Sequence, residues 1–212
     1  PETTAPFFPM SARDSILSRI RSATAAMPAK SPLPDYDPAL THCAPRLEGE
    51  GIIAVFERNL KAVNGRAMHS VAEVARFLAE NGQRHGYCDP ALHATLGAEL
   101  AAAGLTVETN YDRARYDDYQ FGITRATGAI AESGTIILDD NLTTSRLAAL
   151  SPWVHVAVIS AGSIHRTIAD ALGALGDSPN IIWVTGPSKT ADVEGILIEG
   201  VHGPGEQIAL LL

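Results

Sequence analysis

From residue 48 to the end, short apolar runs alternate with stretches of helical periodicity, and that alternation constrains the fold more than any other feature. Ile52, Val55, Phe56, Leu60 and Val63 keep helical spacing, and a short strand-like GRAMHS follows. Val71, Val74, Ala75 and Leu78 predict a second helix ending at Gly82, and HGYC reads as a brief strand. Asp89 is placed to cap a third helix, with Pro90 at its first position and Gly104 as its stop. LTVET, WVHVAVIS, NIIWVT and QIALLL read as strands, and Ser163 opens a helix carrying Ile164, Ile168, Leu172 and Leu175. Apolar strands separated by helices predict an α/β domain whose mainly parallel sheet is covered on both faces. One segment breaks the alternation. GAIAESGTIILDD, residues 128–140, reads as two strands joined at Ser133–Gly134, a hairpin with Glu132, Ser133 and Thr135 at its tip.

Ahead of that domain the pattern differs. SARDSILSRIRSAT, residues 11–24, predicts an isolated amphipathic helix with Ser11 and Asp14 at its start and a narrow Ile16, Leu17, Ile20 stripe. Five prolines between residues 28 and 45 block both helix and sheet. The expected organisation is therefore an N-terminal helix and Pro-rich linker over 1–47 and an α/β domain over 48–212. A short lone helix is marginal in water, so its stripe must be buried on something.

Several chemistries are excluded or disfavoured by composition. A net charge of −8 with no clustered basic residues argues against a nucleic-acid partner. No apolar run approaches the roughly 18 residues of a membrane span. PETTAPFFPM lacks the basic end and apolar core of a secretory signal, so the cytoplasm is the expected compartment. Cys43 and Cys88 are the only cysteines, too few for an iron–sulfur cluster in this chain alone. His85, Cys88 and His93 are irregularly spaced for zinc and read as a buried thiol with two solvated histidines, so no metal site is expected.

TGPSKTADVEG, residues 185–195, is the strongest candidate for a ligand site. An apolar strand stops at Thr185, Gly186 and Pro187 turn the chain, and a helix start is expected near Ser188. In an open α/β sheet, ligands bind beyond the carboxyl ends of the strands. The first amides of a helix lack internal partners and favour an anion. Ser188 and Thr190 would add hydroxyls and Lys189 a cation, so a small anion would fit, with Asp192 favouring the helix amino end. Ser188 or Thr190 acting only as a cap, with Lys189 solvated, is the alternative. The stretch is not a P-loop, since glycines are missing at 188 and 183, and GPGEQI is no dinucleotide fingerprint. No GxSxG elbow occurs. His202 and Gly203, in the VHGPG turn, can approach a ligand closely. His155, on a strand face with Ala157 and Ile159, reads as a hydrogen-bonded core histidine. Glu132 is either a solvated turn residue or a carboxylate opposite Lys189.

GITRATGAIAESGTIIL followed by TGPSKTADVEGILIEGVHGPGEQIALLL closely resembles the LUD-domain family, in particular its lactate-utilization C branch. The likeness covers about residues 48–212 and rests on two ordered motifs, AIAE[ST]GT at 129–135 and TGPS[KR]TAD with a later GVHGP. The resemblance implies a three-layer Rossmann-like fold of the sugar-phosphate isomerase and CoA transferase type. It also implies an accessory subunit, without a cluster of its own, in a system that oxidises L-lactate to pyruvate. Its partners would be cysteine-rich proteins carrying the iron–sulfur clusters. The family supplies no established catalytic residue. A second reading, by analogy with CoA transferases that use a glutamate before a glycine turn, makes the chain an enzyme on a phosphorylated or CoA-linked substrate with Glu132 as the candidate catalytic residue.

Overall fold

The computed structural model describes residues 11–27, 49–143, 145–176, 178, 180–191 and 195–212. The chain divides into two compact units, Pro1–Thr41 and His42–Leu212. Cys43, Asp192 and the prolines of the linker lie outside the described residues. In the first unit, α1 (Ala12–Thr24) begins where the Ser11 hydroxyl accepts the Asp14 amide at 3.1 Å. No residue of α1 is buried, and Ile16 and Ile20 are both more than half exposed.

The second unit runs α2 (Ile52–Ala62), β1 (Arg66–Met68), α3 (Val71–Glu80), β2 (His85–Cys88), α4 (Pro90–Ala102) and β3 (Thr106–Glu108). It continues through β4 (Phe121–Arg125), β5 (Gly128–Ile130), β6 (Thr135–Asp139), α5 (Arg146–Leu150), β7 (Val154–Ile159) and β8 (Ile164–His165). It ends with α6 (Ile168–Ala174), β9 (Ile181–Val184), β10 (Lys189–Thr190), β11 (Ile198–Glu199) and β12 (Glu206–Leu211). The central sheet has six strands in the order β1-β12-β7-β4-β2-β3, and every adjacent pair is parallel. Buried on both sides, its inner strands are the near-continuous apolar runs of the sequence; all six residues of β7 are buried.

Each face of that sheet has its own apolar layer. On one, Val71, Val74 and Leu78 of α3 and Leu96 and Leu100 of α4 pack over Phe121, Ile123, Val156 and Ile208. On the other, Val55, Phe56 and Leu60 of α2 meet Ala157, Ile159 and Ala209, together with Ala129, Ile136 and Leu138 from a second sheet. Full burial of side chains such as Phe56, Leu60 and Leu78 contributes about 1.5–3 kcal/mol each, so these layers hold the unit together. The cap expected at Asp89 forms, and Ser70 supplies a second one. Ser70 accepts the Glu73 amide at 3.2 Å, and the Asp89 carboxylate accepts the Ala91 amide at 2.9 Å ahead of Pro90. The result is an α/β architecture whose mainly parallel sheet is covered on both faces, as the alternation predicts, in the three layers that the resemblance implies.

Three local expectations are corrected. The hairpin β5–β6 belongs to a separate four-stranded sheet, in the order β8-β5-β6-β9. NIIWVT is not in the parallel sheet: β9 pairs antiparallel with β6 at the edge of the second sheet. The expected helix at Ser163 starts four residues later, because Ile164–His165 pairs with β5 as a strand. α6 is nucleated by a capping box in which Thr167 and Asp170 exchange bonds of 3.1 and 3.0 Å.

Candidate functional site

The two sequence motifs meet at the end of α2. At the hairpin tip, Gly134 has φ +65°, and a methyl group there would fall 2.3 Å from the Leu60 amide nitrogen. Gly186 has φ +80°, and its Cβ would fall 2.2 Å from the Val63 carbonyl oxygen. Both glycines therefore let a turn close onto the α2 backbone, one turn apart along the helix. Asn59 fastens the first turn, its amide donating to the Ala131 and Glu132 carbonyls at 2.8 and 3.1 Å. This clamp aligns a row of hydroxyls: Ser133 to Thr135 at 2.7 Å and Thr135 to Thr185 at 2.8 Å.

Beyond Thr185 the structure departs from the expected geometry. Ser188 does not open a helix; Lys189–Thr190 forms β10 and pairs antiparallel with β11. The Ser188 amide is spent on the Pro204 carbonyl at 2.8 Å, and the Ser188 carbonyl accepts from Gly200 at 2.9 Å. Gly203 lies against the Ser188 side chain, 3.1 Å from its Cβ to the position a methyl would take. Lys189 donates to the Val63 carbonyl at 3.0 Å and lies 3.6 Å from the Glu199 carboxylate, which also accepts from Asn64 at 2.6 Å. The cradle of free helix amides is thus absent at Ser188, and the lysine charge is answered from within the chain. The location is corrected as well. Gly203, Pro204 and Ser188 adjoin the start of β12, and Glu206 donates its amide to the Trp153 carbonyl just before β7. TGPSKT therefore lies at the amino ends of the parallel strands. Its strand, β9, is outside the parallel sheet, so the carboxyl-end rule does not apply to it.

The predicted residues are therefore brought together only in part. Thr135 with Thr185, and Ser188 with Gly203, are neighbours; Gly186 and Lys189 both reach the end of α2. Glu132 faces elsewhere, its carboxylate accepting the Ile168 amide at 2.5 Å at the first position of α6. His202 is exposed, Thr190 lies in β10, and Asp192 is outside the described residues. Glycines at the start of the GVHGP turn and just after it serve packing: methyl groups at Gly200 and Gly205 would fall 2.3 and 2.4 Å from the Trp153 ring. Beside the turn, a cleft of about 730 Å³ is bordered by Lys61, Asn64, Arg66, Glu199 and Glu206, with Arg66 paired to Glu206 at 3.0 Å. Asn59 and Asn64 were not singled out in the sequence. Asn64, at φ +68°, ends α2, and the dipeptide Asn64–Gly65 was its signal.

The metal reading fails on geometry. His85 is engaged by the Asp118 carbonyl and by Glu108, each at 2.9 Å, and its bond holds the Glu108 carboxyl below its ordinary pKa. Cys88 is wholly buried, burial pushes its thiol up to about 12, and the thiol donates to the Asp89 carbonyl at 3.6 Å. Among the described residues, no three histidine, cysteine or acidic side chains converge on a metal position. His155 is the core histidine expected: its Nε2 and Nδ1 lie 2.8 Å from the Thr124 hydroxyl and the Gln207 Oε1, all fully buried.

Residues 78–212 match the sequence model of the LUD domain. Lactate utilization protein C of Deinococcus radiodurans is 33% identical over 120 residues, 54% of this chain and 55% of that relative. The protein of the same name from Bacillus licheniformis is 35% identical over 112 residues, 49% of this chain and 45% of its own length. On these matches the chain spans about half the length of the curated relatives. A crystal structure of a DUF162 family protein from Deinococcus radiodurans superposes with a TM-score of 0.55 at 24% identity. That likeness covers 76% of this chain and 95% of the other, and it bears on the fold.

Proposed function

The chain belongs to the LUD-domain family, and on that premise we propose that it serves L-lactate utilization as an accessory subunit that docks onto cysteine-rich iron–sulfur partners. The names of the relatives support the process, and the count of two cysteines supports a subunit whose clusters are held elsewhere. The observation that carries the docking role is an apolar surface on the motif hairpin. Ile196, Leu197 and Val201 are 60%, 59% and 52% exposed, and Trp153, on which Gly200 and Gly205 rest, is 50% exposed. Exposed apolar side chains this close along the chain are the material of a protein interface. The small-anion reading keeps only the hydroxyls of Ser133, Thr135 and Thr185 and the turn at His202. The test is co-purification with the cysteine-rich partners and a lactate-dependent dye-reduction assay with and without the chain. Ile196→Asp with Leu197→Asp should leave the fold intact and abolish both complex formation and its contribution to dye reduction. A double variant that still assembles would overturn the docking role.

The enzymatic alternative puts a nucleophile at Glu132, and the geometry speaks for a different use. Its carboxylate caps α6, where a negative charge meets unpaired amides. Glu132→Ala should therefore lower stability by about 1 kcal/mol in urea denaturation, and Glu132→Gln by less. A transferase nucleophile would show the opposite pattern: unchanged stability and a lost covalent intermediate with a CoA thioester.

A further inference from the structure

The strand order places a crevice away from the hairpin tip and the TGPSKT turn. β2 and β4 are neighbours in the central sheet. The chain leaves β2 through α4 for β3 on one side, and leaves β4 for β7 on the other. Connections that part in opposite directions open a gap beyond the carboxyl ends of the two strands, the position where open α/β sheets bind ligands. The residue that ends β4 there is Arg125. Cys88 of β2 pairs with Ile123 of β4, so two residues further on Arg125 comes level with the start of α4.

We propose that the Arg125 guanidinium, with the Thr127 hydroxyl, binds the carboxylate or phosphate group of a small ligand in this crevice. Three observations converge. Arg125 donates from Nη2 to the Leu142 carbonyl at 2.8 Å, but its Nε is buried with no hydrogen-bond partner. Two residues on, the Thr127 hydroxyl is also buried and unpartnered, although the Thr127 amide is bonded to the Ile137 carbonyl. Of all the ion pairs among the described residues, none involves Arg125, in a chain with eight more acidic than basic charges. A half-buried cation without a counter-charge is costly, and a buried N–H without an acceptor adds to that cost. An oxyanion supplies both missing partners at once, since the edge of a guanidinium matches two oxygens of a carboxylate or phosphate. The surroundings are prepared for it. The Thr143 hydroxyl holds the Arg125 carbonyl at 2.9 Å, and the Leu142 carbonyl holds the side chain, so the guanidinium is positioned before a ligand arrives. α4 adds only the field of its amino end, because the amides of Ala91, Leu92 and His93 are all taken by Asp89.

This site is independent of the docking role and of the motif hairpin. Its test is titration calorimetry of the full chain with acetate, oxalate and inorganic phosphate, against chloride as a non-chelating control. Wild type should bind at least one of the oxyanions, with acetate and oxalate against phosphate deciding which headgroup is preferred. Arg125→Met should weaken binding by about tenfold or more, Arg125→Lys by less, and Thr127→Val by several-fold. Ser188→Ala with Lys189→Ala should leave it unchanged, which separates this crevice from the TGPSKT turn. Circular dichroism checks each fold; Arg125→Lys and Thr127→Val keep the test decisive if Arg125→Met does not fold. Equal affinity in wild type and the Arg125 variants, or no heat with any oxyanion, would overturn the assignment.

Discussion

Gly186→Ala and Gly134→Ala each lower the urea midpoint of the α/β unit far more than Gly104→Ala does. All three glycines have positive φ, at +80°, +65° and +77°, so each alanine carries the left-handed penalty of about 1–2 kcal/mol. Only two of them also meet the α2 backbone. The Gly186 methyl would fall 2.2 Å from the Val63 oxygen and the Gly134 methyl 2.3 Å from the Leu60 nitrogen, whereas nothing lies within 4 Å at Gly104. Backbone cannot rotate aside as a side chain can, so overpacking adds about 1–3 kcal/mol at the two motif glycines. Against a total stability of about 5–15 kcal/mol, the double variant should lose a large share of its stability. The expected order of midpoints is wild type, then Gly104→Ala, then the two motif variants. Motif variants with the midpoint of Gly104→Ala would mean that the turns do not clamp α2.

That clamp bears on what the sequence could disclose. The parallel sheet was legible because burial on both faces demands unbroken apolar runs, as in β7 and β12. α4 was legible from Asp89 and Pro90, whose roles are local. What escaped depends on partners distant in sequence. β9 is as apolar as β7, but only partly buried, and its antiparallel pairing with β6 is a tertiary choice that periodicity cannot report. A glycine turn followed by Ser-Lys-Thr has the composition of a helix start. It becomes a hairpin because Ser188 finds Pro204 and Gly200, and Lys189 finds Val63. The late start of α6 was readable, since Thr167 and Asp170 stand three apart as a capping box; Ile164 drew the boundary forward by fitting the helical stripe. Arg125 and Thr127 lie in the stretch GITRATGAIAESGTIIL, but only its hairpin tip drew attention. Only the strand order reveals that they stand where the chain parts.

The stability of the unit falls as pH drops from about 6.5 to about 4, and His155 is the cause. Gln207 gives its amide hydrogens to the carbonyls of Ile208 and His155, at 3.3 and 3.5 Å, which turns its Oε1 toward the imidazole Nδ1. Nδ1 therefore carries the proton, and Nε2 accepts from the Thr124 hydroxyl. This arrangement satisfies a neutral ring and has no place for a second proton. Full burial penalises the charged form, and the pKa falls from the ordinary 6.5 to about 4, the Gln207 bond offsetting only part of the shift. Above pH 6.5 the ring is neutral in folded and unfolded chains alike and contributes no slope. Between the two values the unfolded chain takes up a proton that the folded one refuses, so acidification favours unfolding by about 3 kcal/mol in all. Carboxylates held low, such as Glu108, lose their contribution further down, as pH falls below the unfolded value of 4.5. Urea denaturation at steps across this window should show the slope in wild type and its absence in His155→Gln, whatever that variant's stability at neutral pH. In the wild-type spectrum the His155 ring signals should stay at their neutral positions as pH falls through 6.5. A ring that protonates near pH 6.5 in the folded protein would show that the buried row is open to water.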